Sequence, residues 1–314
     1  MATSIPNTSA ARVAPPIQSA ETAPAEVKPS DVKLDRLFVP VDFSALSDRA
    51  VDYARRIAGR HNAEVLLAHV SHPVSPMAVP EAAWYHLEAA QNKELARLDR
   101  LGARLRSEGL KARTISLNGL LQDEIPCCSK NECSDLIVLG AQINSGIERL
   151  LFGCDSEVLV RHAGCPVLVI GPQTRPAPDR PWRLENVLCA SDLRPESAST
   201  AVFAWRLAQK YEAKFSLVHV ECRNPKPSDE TQQRFRQTLA TLLPGEDPAS
   251  ALRSLPGGHG PCSNTLVNLA RQEHAEIIVM GAHAASHAVT RLLRGTAAQV
   301  IAESPCPVLV LNIP

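Results

Sequence analysis

Apolar residues along this chain come in short unbroken runs, with stretches of helical periodicity between them. Leu37-Phe38-Val39-Pro40-Val41 is the first such run, the pattern of a strand buried on both faces. Leu46, Ala50, Ala54, Ile57 and Ala58 then fall on one face of a predicted helix, which Ser44 caps and Gly59 and Asn62 are expected to end. Glu64 to Val70 (EVLLAHV) reads as a second strand, Glu81 to Glu108 as a long helix, Ala112 to Leu117 as a weaker strand, and Gln122 to Asn131 as a helix. The buried strand DLIVLG (Asp135–Gly140), a loop, a short helix near Ser156 to His162 and a strand over Pro166 to Ile170 complete the unit.

The same series then begins again. Val187 to Asp192 repeats the first strand and its aspartate, Pro195 sits where a helix can open, and Val202, Trp205, Ala208 and Tyr211 give that helix its apolar face. KFSLVHV (Lys214–Val220) repeats EVLLAHV, EIIVMG (Glu276–Gly281) repeats DLIVLG, and PCPVLV (Pro305–Val310) repeats GCPVLV (Gly164–Val169). Asp42 to Asp192 and Val70 to Val220 are both offset by 150, whereas Gly140 to Gly281 and Cys165 to Cys306 are both offset by 141. The second copy has therefore lost nine residues (150 − 141) between its second and fourth strands, where its central helix, near Ser228 to Leu243, is shorter.

Alternating strands and helices with continuously apolar strands predict an α/β fold. The expected architecture is two tandem Rossmann-like domains, each a doubly wound, five-stranded parallel sheet. The segmentation expected is a disordered arm over residues 1–32, a first domain over 33–171, a proline-rich linker over 172–182 and a second domain over 183–314. The arm is rich in Ala, Pro, Ser and Thr and cannot bury enough surface to offset its ordering entropy. Four prolines make the linker a stiff, exposed spacer in this reading. The apolar strands Val167–Ile170 and Val308–Leu311 would be exposed edges in isolated domains, and pairing them across the domains removes that liability. An internal pseudo-dimer is the predicted result.

Composition narrows the partners. Thirty-three basic residues balance thirty-three acidic ones, so there is no general attraction to nucleic acid or to an anionic membrane. No apolar run is long enough to span a bilayer, and the N-terminus lacks the charge and apolar pattern of a secretory signal. Nine cysteines lie without any CxxC pair, which points to reduced thiols in a cytoplasmic protein and requires no metal. Cys127, Cys128 and Cys133 are read as packing on or near a helix, and His69 and His219, at matching places in the second strands, as structural.

Ligands of doubly wound sheets bind beyond the carboxyl ends of the strands, where strand order reverses. That places the candidate chemistry at Asp42 and Asp192 and in the loops after Gly140 and Gly281. These residues, with PVDFS, LLAHV, SLVHV, DLIVLG, EIIVMG and the stretch RLLFGCDSEVLVRHAGCPVLVI, resemble the universal stress protein family in its tandem form. The resemblance covers both repeats. It implies strand order 3-2-1-4-5 in each domain, frequent dimerisation (a homodimer of whole chains included) and, in one branch of the family, ATP binding. Binding members carry G-x-x-G, nine residues, then G-[ST] after strand four, an aspartate for the ribose hydroxyls after strand one, and apolar residues around adenine. Glycines let backbone N–H groups approach phosphates, and the hydroxyl donates to a phosphate oxygen.

Carried over by position, the resemblance implies a second-domain nucleotide site of Ala190, Asp192, Val220, Met280, Gly281, Ala284, Gly295, Thr296 and Ala297. Ala284 replaces the second glycine, and the loop to Gly295 is one residue longer than the pattern. The corresponding first-domain site is Pro40, Asp42, Val70, Leu139, Gly140, Gly153 and Cys154. It is the more degenerate, with Ile143 for the second glycine and Cys154 for the hydroxyl. Arg149, Arg291, Arg294, His283 and His287 are further candidates for phosphate contact. Neither a P-loop nor the Ser-Gly-Gly-x-Asp-Ser loop of adenylating folds is present. The favoured function is a stress-response protein acting by association, and no catalytic residue is assigned. The alternatives are an ATP sensor with one working site in the second domain, and a slow ATPase or autophosphorylating protein modified at Ser286 or Thr296.

Overall fold

Residues 32–71, 81–140, 162–221, 228–256, 261–283 and 296–313 are described by a computed structural model. In the first half, β1 (Arg36–Pro40) leads into α1 (Ala45–His61), β2 (Glu64–Ser71), α2 (Glu81–Ser107), β3 (Lys111–Asn118), α3 (Leu121–Asn131), β4 (Leu136–Gly140) and β5 (Val167–Ile170). The second half follows as β6 (Asn186–Ala190), α4 (Ala198–Tyr211), β7 (Lys214–Glu221), α5 (Asp229–Leu242), β8 (Leu252–Pro256), α6 (Cys262–Gln272), β9 (Ile277–His283), α7 (Thr296–Glu303) and β10 (Val308–Ile313). The predicted helix near Ser156 lies outside the described residues.

The continuous apolar runs become strands because each face of the sheet is covered. Within β1, Leu37 and Val39 face Ala50, Ala54 and Ile57 of α1, whereas Phe38 faces Ile125 of α3 on the other side. This is the two-residue alternation of a strand with apolar partners on both faces. Ser44 caps α1 by accepting the Ser47 N–H at 3.2 Å. Asn62 alone ends that helix, in the left-handed region at φ 55°; Gly59 is an interior helix residue, contrary to expectation.

Each half has the order 3-2-1-4-5 and is parallel throughout, but the two sheets are not separate. They form one ten-stranded sheet, β3-β2-β1-β4-β5-β10-β9-β6-β7-β8. At its centre β5 and β10 run antiparallel, with Val169 opposite Val308, Leu168 opposite Leu309 and Val167 opposite Val310. Because position 168 corresponds to 309 at the 141-residue offset, a pseudo-twofold axis passes between the two leucines. The predicted pairing of the apolar edges is therefore present, and both core clusters run unbroken across the seam.

Above the seam the pseudo-symmetry is broken by side chains. His61 and Tyr211, equivalent at the 150-residue offset, meet edge to face with ring centroids 5.5 Å apart, and the tyrosine hydroxyl lies 2.5 Å from His61 Nε2. Burial raises the Tyr211 hydroxyl above its usual range, so it donates. The imidazole accepts, its own pKa lowered by burial and then by Lys210 and Arg60.

The linker is not a free spacer. Arg49 donates to the Pro172 carbonyl at 3.2 Å, the Tyr53 hydroxyl to the Arg175 carbonyl at 2.8 Å, and Arg56 to Asp179 at 2.7 Å. The Arg175 N–H in turn bonds the Pro305 carbonyl of the second half at 2.9 Å. Thr174 and Trp182 are buried, the indole edge-on to Tyr53. Gly171 is required here: a Cβ on it would lie 2.0 Å from the Ile301 carbonyl oxygen.

Candidate nucleotide site

Both halves build their candidate site where β1 or β6 leaves the sheet. In the first, Val41 extends the ladder through its N–H to the Ala68 carbonyl at 2.7 Å. The chain then turns sharply at Phe43, with φ 63°. Asp42 holds the turn: its Oδ1 accepts the Ser44 N–H at 2.9 Å, and its own N–H reaches the Ser47 hydroxyl at 3.3 Å. In the second half Leu193 takes the same conformation, with φ 60°, and Asp192 Oδ1 accepts the Arg194 N–H at 3.1 Å. Each aspartate is thus a turn-former first, one carboxylate oxygen being committed to its own loop.

The histidines of the second strands complete these turns. His69 Nδ1 is 2.7 Å from the Val41 carbonyl, and His219 Nδ1 is 2.9 Å from the Ser191 carbonyl. The pairs 41/69 and 191/219 correspond at the same offset, so one tether is used twice. Among the described residues, the first half elaborates it. Phe43 stacks on His69 at 4.9 Å, Arg97 of α2 lies 4.7 Å above the Phe43 ring, and Glu94 approaches His69 Nε2 at 3.3 Å.

Pro40, Asp42, Val70, Leu139 and Gly140 line one cavity of about 60 Å³ in the first half, together with Ser47, His69, Leu121 and Ile125. Five of the seven residues implied for that site are therefore brought together; Gly153 and Cys154 lie outside the described residues. The cavity is much smaller than the roughly 300–1,000 Å³ of ligand pockets, so the described walls form a cleft floor. Gly140 has a structural duty distinct from phosphate approach. A Cβ there would stand 2.3 Å from the Leu46 carbonyl oxygen, because the N-terminal turn of α1 is pressed against the end of β4.

In the second half Ala190 lies in register with Met280 of β9 and with Val218 of β7. Ala190, Val220, Met280 and Ala297 pack in the same apolar cluster. Gly281 follows in β9, opposite Leu311. Thr296 is exposed as the first residue of α7. Ala284, Gly295, Ser286, His287, Arg291 and Arg294 lie outside the described residues, as do Ile143 and Arg149 of the first half. Sequence reasoning missed Arg194, whose Nε is 3.5 Å from Asp192 Oδ2; its place two residues after the aspartate was the available signal.

The thiols divide clearly. Cys165, Cys189 and Cys306 are buried free cysteines, and burial pushes their pKa up to about 12, 12 and 11. Cys128 is half-buried and pushed to about 11, by desolvation first and then by Glu132. Cys133 is exposed beyond the end of α3 rather than packed. Cys262 is disulfide-bonded, which corrects the expectation of reduced thiols throughout.

The chain is a duplicated, doubly wound α/β protein of Rossmann-like fold whose described candidate residues lie at the carboxyl ends of its strands. The universal stress protein family model matches residues 33–171 and again 183–312, and the chain belongs to that family. Among curated proteins it is 32% identical over 138 residues to universal stress protein MJ0531 of Methanocaldococcus jannaschii, covering 43% of this chain and 81% of that one. It is 28% identical over 145 residues to universal stress protein YxiE of Bacillus subtilis, covering 43% and 98%. A universal stress protein structure from Archaeoglobus fulgidus matches over 90% of this chain and 98% of its own, with TM-score 0.65 and 18% identity; it supports the tandem fold. No helix among the described residues is long and apolar enough to cross a membrane.

Proposed function

We propose that this chain is a cytoplasmic stress-response protein that acts by binding and association rather than turnover, with an adenine nucleotide held in its second half. The observation that carries this reading is the convergence of Ala190, Asp192, Val220, Met280 and Gly281 at the carboxyl ends of β6, β7 and β9. Strand ends at a reversal of order are where such sheets take ligands. Thr296 supports a phosphate position, because it opens α7 with a hydroxyl at the end of the helix where N–H groups point outward. In the first half Cys154 supplies no such hydroxyl.

Asp192 would offer its ribose-binding oxygen in competition with Arg194, so affinity is modest in this reading. The test is the nucleotide that travels with freshly purified protein, extracted and identified. One equivalent of adenine nucleotide per chain is expected. Asp192→Ala or Thr296→Ala should each weaken ATP binding about tenfold, the loss of one charge-assisted contact, and Asp42→Ala should change it little. No binding at millimolar ATP would sink the proposal, and two equivalents would mean that both halves work. Label passing from γ-labelled ATP to the protein would replace pure binding with autophosphorylation.

A further inference from the structure

The amino-terminal ends of the first strands carry a cleft that the nucleotide reading leaves unused. Arg36, Glu64 and Lys111 open β1, β2 and β3 and stand side by side in register. With Lys33, Asp35, His61 and Asp135 they line a cleft of about 790 Å³, within the roughly 300–1,000 Å³ of ligand pockets. It lies at the opposite end of the strands from Asp42 and Gly140.

Some of its charges are already committed. Glu64 bridges Arg36 at 3.1 Å and Arg113 at 2.7 Å. Asp135 Oδ2 accepts the Asp35 and Arg36 N–H groups, each at 2.9 Å. Other groups keep capacity. Among the described residues, neither Lys33 nor the Asp35 carboxylate has a hydrogen bond or ion pair. Lys111 spends one N–H on the Asn62 carbonyl at 3.3 Å and keeps the others. His61 accepts from Tyr211 through Nε2, so its ring hydrogen sits on Nδ1 as a donor.

This unspent set is not a consequence of the fold, because the second half does not repeat it. Arg183 and Glu185, equivalent to Lys33 and Asp35 at the 150-residue offset, pair with each other at 3.8 Å, and Arg180 meets Glu185 at 3.3 Å. Leu252 opens β8 where Lys111 opens β3, and Tyr211 stands in the place of His61.

We propose that the cleft binds a small zwitterion of the α-amino-acid class, its carboxylate held by Lys33, Lys111 and His61 Nδ1 and its ammonium by Asp35. Glu64 and Asp135 in the wall disfavour a polyanion, and a neutral ligand would leave the lysines unused. The site also communicates with the second half. A carboxylate that takes the Nδ1 hydrogen makes Nε2 a stronger acceptor for the Tyr211 hydroxyl. Lys210, the neighbour of Tyr211, holds the Val32 carbonyl beside Lys33 at 2.7 Å. Occupancy should therefore tighten the contact between α1 and α4. Neither the site nor this coupling rests on the nucleotide reading.

Titration of the whole protein followed by NMR tests this with three probes: L-glutamate, glutarate, which lacks the ammonium, and inorganic phosphate. Glutamate should bind in the millimolar range or tighter, and glutarate at least about threefold more weakly, the loss of one exposed charge contact. Lys33→Ala and Lys111→Ala should each weaken glutamate about threefold to tenfold. Both lysines are exposed, so these variants should fold as the parent does. Asp35→Asn should weaken glutamate but not glutarate. No glutamate binding at millimolar concentration overturns the proposal, as does binding that ignores both lysine changes. Equal affinity for glutarate or for phosphate overturns it too, the cleft being then a simple anion site. Saturating glutamate should also slow amide exchange at the C-terminal end of α4, and Tyr211→Phe should abolish that effect while keeping glutamate affinity within about threefold. Unchanged α4 exchange in the parent protein overturns the coupling.

Discussion

Replacing Val169 and Val310 together with lysine should open the molecule at its centre. Both valines are 2% exposed and lie in the antiparallel ladder, opposite Val308 and Val167. Losing their burial costs about 1.5–3 kcal/mol each. Leaving two ammonium groups in the apolar cluster adds several kcal/mol per charge, so the total is on the order of 10 kcal/mol, comparable with the whole stability of an ordinary domain. A milder change would not suffice. The linker holds the halves at a millimolar-scale effective concentration, and two Val→Ala changes leave the seam apolar and able to reclose. Solution scattering should show a longer interdomain distance, and the amides of 167–169 and 308–310 should lose exchange protection while the β1–β2 ladder keeps its own. A scattering profile and seam protection indistinguishable from the parent protein would refute the argument that burial at β5–β10 holds the halves together.

Gly140→Ala should lower stability by about 1–3 kcal/mol, the usual range for overpacking, because its Cβ meets the Leu46 carbonyl at 2.3 Å rather than a movable side chain; a denaturant midpoint within error of the parent would contradict this. His61 is held neutral in the fold, with its pKa below the ordinary 6.5. The unfolded chain therefore binds the extra proton first: stability is complete above pH 6.5 and falls as pH drops through that value towards the folded pKa. Thermal melts across that window should show the slope, and His61→Phe should flatten it. A thiol reagent at neutral pH should label Cys133 promptly, while Cys165, Cys189 and Cys306 wait for unfolding; prompt labelling of Cys189 would show that the core opens more readily than its packing implies.

Much of this fold was legible because its signals are local. A strand buried on both faces must be apolar at consecutive positions, so LFVPV and DLIVLG announce themselves, and two constant offsets reveal the duplication. The seam was legible for a different reason: an apolar edge strand in each half demands a cover, and the other half provides it. What escaped depends on contacts distant in sequence. The linker's prolines suggest stiffness, yet its place is set by Arg49, Tyr53 and Arg56 on α1, more than a hundred residues earlier. Gly140 suits a phosphate loop by pattern, while its neighbour Leu46 shows that helix packing alone already excludes a side chain.

The two candidate sites show how far duplication constrains chemistry. The turn after the first strand, its left-handed residue, its Asx bond and its histidine tether occur in both halves. All of these belong to folding, and each would persist if no nucleotide ever bound. The differences lie instead in the groups that face outward from that shared frame. Phe43, Glu94 and Arg97 gather over the first turn, Arg194 answers Asp192 in the second, and Leu121, which lines the first cavity, corresponds at the 141-residue offset to the disulfide-bonded Cys262. Shared residues therefore report the scaffold, and a functional assignment must rest on the unshared ones. Replacing the outward Arg194 with Ser, the residue at the matching place in the first half, should leave the fold intact and alter ATP affinity in the second half. If affinity stays unchanged while the fold is preserved, the outward groups do not set the difference between the halves.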